Sequence, residues 1–254
     1  MHDPRRAKPP SPRDVAALTF IGEGYEVAQY QLHAAIFSNV SAVVVSHFVT
    51  RAVRNGWIAV ERWNRVGINR LRLTTTGREV VVRAGGDTKY LFVPRRPVAM
   101  KDVAHTLWIN DVRVALGDSG VAFDALLPAW QLQRRLRPPP DAIPDLLAIR
   151  KALDGSPPLI LACEIDLGGE RLARTFFPKL RNLQRLVSDW SDGGGAEILV
   201  LTRGAQRAAA IKTFARAQNL SLFVTALPSA GGAEAVRMVR TIVAAVLARH
   251  VKSI

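Results

Sequence analysis

The stretch PDLLAIRKALDGSPPLILACEID, residues 144–166, decides how the second half of this chain is read. LLAIRKAL and LILACEI are apolar runs of strand length, and DGSPP between them has the composition of a tight connection. The two runs predict a hairpin. Asp145 stands at the head of its first strand, and Glu164 and Asp166 stand near the end of its second. Side chains alternate along a strand, so Glu164 and Asp166 share a face, and an antiparallel return brings Asp145 to the same end. Three carboxylates gathered there repel one another unless a divalent cation or an Arg or Lys neutralises them. Where a cation does so, the expected metal ligands are Asp145, Glu164 and Asp166, with Mg2+ as the ion. Magnesium held this way polarises a phosphate and generates hydroxide, the chemistry of metal-assisted phosphodiester hydrolysis.

Around this hairpin the chain alternates. KDVAHTLWINDVRVAL reads as a helix with Val103, Leu107, Val112, Val114 and Leu116 as its apolar positions. LLPAWQLQRRLRPPP follows, and Pro138–Pro140 end anything helical in it. After the hairpin come an amphipathic helix, RLARTFFPKLRNLQRLVSDW, which Pro178 restarts or kinks, a GGG loop and the buried strand ILVLT. The helix GAQRAAAIKTFARAQN, the strand LSLFVTAL and the helix AEAVRMVRTIVAAVLARHVKSI complete it. The order predicts an α/β domain over 101–254, a mixed sheet with helices on both faces.

Residues 14–83 have a different rhythm. DVAALTFIGEGYE begins helically, and YEVAQYQLHAAIF continues with Val27, Tyr30, Leu32 and Ile36 at near-helical spacing. In a third helix, Ser41 is the expected N-cap and Val45, Phe48, Val49, Ala52 and Val53 lie on one face, until Asn55-Gly56 stops it. Ser46, His47, Thr50, Arg51 and Arg54 lie on the other face. WIAVERW and NRLRLTTTG then form a hairpin with Arg62, Arg65, Arg70 and Arg72 on or beside it. Three helices and a basic hairpin are the order of a winged helix-turn-helix, in which the third helix enters the major groove and the hairpin follows the backbone. The same fold also serves as a protein-interaction module. Ser41, Ser46, His47, Thr50, Arg51, Arg54 and the four hairpin arginines are the expected DNA contacts. Residues 1–13 read as a disordered basic arm, and the Gly- and Pro-rich residues 84–100 as a linker.

Lys and Arg number 35 against 21 Asp and Glu, a net charge of +14, and most of the cations are Arg. That excess points to a polyanionic partner, with double-stranded DNA first. The lone Cys163 excludes an internal disulfide and a Cys-pair zinc site, and suits a reducing cytoplasm. No run reaches the roughly 18 apolar residues of a membrane span. Neither a P-loop nor a dinucleotide-binding glycine pattern is present.

The chain resembles the replication-relaxation family of plasmid and mobile-element proteins. The resemblance rests on VAQYQLHAAIF, FVTRAVRNGWIAVERW, LRLTTTGREVV, VAHTLWINDVRVAL, IPDLLAI and LACEIDLGGERLARTFFPKL, in that order. It implies an N-terminal winged helix, a C-terminal domain like the PD-(D/E)xK restriction-type nucleases, and a role in plasmid replication or mobilisation. A relaxase or a replication protein becomes an expected partner. Carried over by position, Asp145 is the first motif aspartate and Glu164 the second acid, but Asp166 stands where the motif has lysine. Lys179 in FFPKL is the candidate that returns an ammonium to the site, and His105 and Asp111 are further candidates for a base or a ligand. Three readings follow: a DNA-binding factor with an altered nuclease-like site, a Mg2+-dependent endonuclease or nickase, and a transcriptional regulator that forms a homodimer through TIVAAVLARHV.

Overall fold

A computed structural model of the chain describes residues 9–63, 67–136, 140–151, 158–191, 195–227 and 233–251. It is a mixed α/β protein with two sheets, three strands in one and five in the other. Two compact units divide it, Met1–Leu107 and Trp108–Ile254.

In the first unit, helix α1 (Pro12–Glu23) starts at a reciprocal cap. The Ser11 side chain accepts the Asp14 N–H, and the Asp14 carboxylate accepts the Ser11 N–H at 2.8 Å. Residues 11–13, expected to be part of a disordered arm, thus begin the first helix; residues 1–8 lie outside the described part. Helix α1 ends at Gly24, and Tyr25 takes a positive φ of 64°. The helical spacing expected through Val27 is broken here. Val27–Ala28 is a short strand, β1, that pairs with Leu71 and Arg70, and helix α2 (Gln29–Ile36) begins only after it.

Helix α3 (Ala42–Arg54) buries Val45, Phe48, Val49 and Ala52, whereas Val53, expected on that face, is exposed. Strands β2 (Ile58–Trp63) and β3 (Ile68–Leu73) form the antiparallel hairpin, and the sheet order is β1-β3-β2. A fourth helix, α4 (Thr75–Arg83), follows where the sequence suggested only the end of a strand. Its cap is Thr74, whose hydroxyl accepts the Gly77 N–H at 3.0 Å. Gly77 is required there, because a Cβ would fall 2.1 Å from the Trp57 carbonyl oxygen.

The segment 84–100 is strapped to the first unit rather than free as a linker. The Phe92 N–H donates to the Gly22 carbonyl at 2.9 Å, the Val98 N–H to Glu26 at 2.7 Å, and Arg72 to the Pro94 carbonyl at 3.0 Å. The division between the units falls further on, inside helix α5 (Val103–Gly117).

The second unit is built on strands β4 (Ala125–Pro128), β5 (Leu146–Arg150), β6 (Leu159–Asp166), β7 (Gly195–Arg203) and β8 (Leu222–Leu227), in that spatial order. The β4–β5–β6 pairs are antiparallel and the β6–β7–β8 pairs parallel. Helix α6 (Ala129–Arg135) joins β4 to β5; α7 (Phe177–Ser191) and α8 (Ala205–Ala217) make the two parallel crossovers; α9 (Ala233–Val251) closes the chain. On one face, Leu159, Leu161, Cys163 and Ile165 of β6 share a core with Val112 and Leu116 of α5 and with Val239, Val243 and Val246 of α9. The apolar stripe of α9, expected to suit a dimer, is thus packed inside its own unit. Alternation sends Ile160, Ala162, Glu164 and Asp166 to the other face. There α7 packs on β6 and β7, and α8 packs on β7 and β8. A π-helical turn, Leu172–Phe176, precedes α7 and accommodates Pro178, which has no N–H to give to a regular helical ladder.

Among the described residues no helix is long and apolar enough to cross a membrane.

Candidate active site

The hairpin expected between residues 144 and 166 forms, with its turn at 152–157 outside the described residues. Asp145 lies one step beyond the Leu146–Cys163 pair and so opposite Glu164. Two backbone hydrogen bonds lock the acids together. The Asp145 N–H donates to Glu164 Oε1 at 3.3 Å, and the Ile165 N–H donates to Asp145 Oδ2 at 2.8 Å. Both side chains are buried, Glu164 to 1% exposure.

Lys179, near the start of α7, points down onto this pair. Its Nζ lies 2.5 Å from Glu164 Oε2, and 24% of its side chain remains exposed. The lysine comes from the helix that crosses the sheet face holding Glu164, not from the strand. Asp145, Glu164 and Lys179 form one cluster of two potential negative charges and one positive.

The electrostatics follow from that count. Burial, reinforced by the charge of Asp145, holds the Glu164 carboxyl well above the usual carboxylate range, against the pull of Lys179. Burial pulls the Lys179 ammonium the other way, but Glu164 and Asp145 outweigh it and keep its pKa above the ordinary lysine value. Burial first, then the two acids, push the neighbouring Cys163 thiol far up, so it is an inert core residue.

Asp166 does not join the cluster. Its Oδ2 accepts from the Thr202 hydroxyl at 2.8 Å and from Arg207 Nε, and its Oδ1 accepts from Arg207 Nη2 at 2.9 Å and from the Gly168 N–H at 2.9 Å. An acid with four donors around it and a guanidinium gripping both oxygens is already neutralised. Asp166 therefore leaves the expected three-carboxylate set, and among the described residues no three His, Cys, Asp or Glu side chains form a metal-holding group. Asp111, buried in α5 and with interactions of its own, is not in such a group with the pair. His105 lies on the part of α5 that belongs to the first unit and has interactions of its own.

Magnesium takes only one or two carboxylates and fills the rest of its shell with water and phosphate oxygens. Asp145 and Glu164 fit that requirement. The Glu164 carboxyl is held high first by burial and then by Asp145, and a bound cation would offset the charge of the two acids. Sequence reasoning missed Thr202 and Arg207: GAQRAAAIK carries no motif, and only the β6–β7 register, which sets Asp166 beside Thr202, brings them in.

The expected DNA-contact residues separate into two groups. Ser41, Ser46, His47, Thr50, Arg51 and Arg54 are exposed on or beside α3, and Arg62 is exposed on β2. Arg51 also pairs with Asp14, and the Ser46 hydroxyl accepts from Gln29 at 3.0 Å. Arg70 is different. It is 3% exposed and pairs with Glu26 at 2.6 Å and Glu61 at 3.1 Å, so its charge is spent inside the fold. Arg72 is partly buried between Glu61 and the Pro94 carbonyl. These two are corrected from phosphate contacts to structural cations. Arg65 lies outside the described residues.

Comparison of the chain with protein-family models, with curated proteins and with solved structures finds no match.

Proposed function

We propose that this is a DNA-binding protein whose first unit is a winged helix and whose second unit is a nuclease-like domain carrying a Mg2+-dependent phosphodiester-cleaving site. The observation that carries it is the reach of Lys179 onto Glu164. The motif lysine absent at position 166 is replaced from α7, so the site has two acids and an ammonium after all. The exposed Ser46, His47, Thr50 and Arg54 of α3 and the net charge of +14 support duplex recognition by the first unit.

In this reading Asp145 and Glu164 hold the metal. When bound, the ion supplies Lewis-acid polarisation of the phosphate and a water of lowered pKa. The chain's own contribution is positional. The two backbone hydrogen bonds fix the carboxylates, and the Lys179 ammonium offsets charge that develops on the phosphate. Nicking or cleavage in plasmid replication or mobilisation is the role that the family resemblance implies.

The test is incubation of supercoiled plasmid with the protein and Mg2+ or Mn2+, beside Glu164→Ala and Lys179→Ala chains. Nicked or linear product from the wild type alone supports the reading. A plasmid that is shifted in a gel but intact with all three proteins leaves a DNA-binding factor without catalysis.

A further inference from the structure

The Asp166–Arg207 pair has no role in the metal site, yet it is built with care. Strand β7 ends at Arg203, Gly204 turns the chain with a φ of 86°, and Arg207 sits on the first turn of α8. Its guanidinium is held from three sides. Nε and Nη2 grip Asp166, Nη2 also donates to the Glu170 carbonyl at 2.7 Å, and the group lies 6.0 Å from the centre of the Phe176 ring. All of these hydrogen bonds use Nε or Nη2. The Nη1 edge makes no hydrogen bond among the described residues, and the side chain is 19% exposed. Asp166 is held in turn by Thr202 and the Gly168 N–H.

Asp166 follows Glu164 by two residues on the same face of β6, so the two positions stand about 7 Å apart along the strand. That is comparable with the distance between successive phosphates on a nucleic-acid strand. Arg171, Arg174 and Arg203, exposed in the segments on either side, supply further positive charge. A fixed guanidinium with a free edge suits a phosphate oxygen better than a mobile lysine does.

We propose that Arg207 binds the DNA phosphate adjacent to the one held at Asp145–Glu164–Lys179, and that Asp166 is the positioning residue that aims it. The inference rests on the nuclease-like reading of the second unit. It also gives the aspartate at position 166 a role: it orients an arginine from α8, the second helix after the strand.

The experiment measures binding of a fluorescein-labelled 30-base-pair duplex to the full chain with Ca2+ in place of Mg2+, across a series of NaCl concentrations, by anisotropy. Wild type, Arg207→Gln and Asp166→Asn are compared, and their thermal midpoints confirm that each is folded. Arg207→Gln is expected to weaken binding several-fold and to reduce the slope of log K against log salt by about 0.9, the loss of one phosphate contact. Asp166→Asn is the sharper variant. Removing an acid from a DNA-binding surface ordinarily tightens binding, whereas loss of an aiming group weakens it. Weaker binding by both variants supports the proposal. An unchanged slope in Arg207→Gln, or tighter binding by Asp166→Asn, overturns it while leaving the nuclease-like reading in place. Should Arg207→Gln fail to fold, the near-isosteric Asp166→Asn distinguishes these outcomes by itself. A wild type that binds no duplex overturns both readings.

Discussion

Lys179 Nζ and Glu164 Oε2 lie 2.5 Å apart, one from helix α7 and the other from the middle strand of the five-stranded sheet. The pair is asymmetric: the acid is sealed, while the lysine keeps part of its stem in solvent. Removing the lysine therefore takes away the cation that opposes burial and Asp145 at this carboxyl.

Lys179→Met should cost about 3 kcal/mol of stability, the usual penalty for stranding one member of a buried ion pair. Adding Glu164→Gln to the same chain should recover more than half of it, since a neutral amide needs no cation. Urea denaturation of the two single variants and the double variant measures this. A Lys179→Met chain as stable as the wild type would show that the pair contributes nothing.

The raised Glu164 carboxyl gives a signed pH dependence. The fold holds this proton above the ordinary carboxylate range, so the stability the group contributes is full below that range and is lost as pH rises through the folded value. Denaturation between about pH 4 and pH 8 should show the wild type losing stability relative to Glu164→Gln as pH rises. Millimolar Mg2+ should reverse that loss at neutral pH, because the ion competes with the proton. With no reversal, Asp145 and Glu164 do not hold magnesium.

Two arginines of the hairpin should behave oppositely. Arg70→Ala takes the buried ion-pair partner from Glu26, itself held above its usual pKa by burial, and should destabilise the first unit by about 3 kcal/mol. Arg62→Ala should change stability by less than about 0.5 kcal/mol and lower the salt slope of DNA binding by about 0.9. Thermal unfolding and anisotropy on each variant separate the two. Equal effects on both would return Arg70 to the DNA-binding surface.

Cys163 should resist a thiol-disulfide reagent in the native protein and react fully in denaturant, since burial and two neighbouring acids disfavour its thiolate. Fast native labelling would mean that strand β6 opens readily.

Much of the fold is legible in the sequence where the signal is periodic. The alternation in LILACEID places Glu164 and Asp166 on one face, and apolar neighbours in FFPKL mark Lys179 as facing inward. Strand β1 is not legible, because two residues, Val27 and Ala28, carry no period, and their pairing with Leu71 and Arg70 is a tertiary event. The burial of Arg70 has a signal that composition alone hides. Its hairpin partner is Glu61, so pairing VERW against NRLRL by register already sets an acid across from it. The company of Asp166 is beyond reach, because Arg207 comes from a helix three elements later with nothing in its local sequence to announce it.

All eight residues of strand β6 are buried, and that has a consequence on the ribosome. Before β7 and β8 have been synthesised, LILAC is an apolar, β-prone segment of the kind that stacks with copies of itself. Glu164 and Asp166 close it on the carboxyl side with two acids. The carboxylates that burden the folded interior thus act as gatekeepers for the nascent one, discouraging self-association until Lys179 and Arg207 emerge to neutralise them.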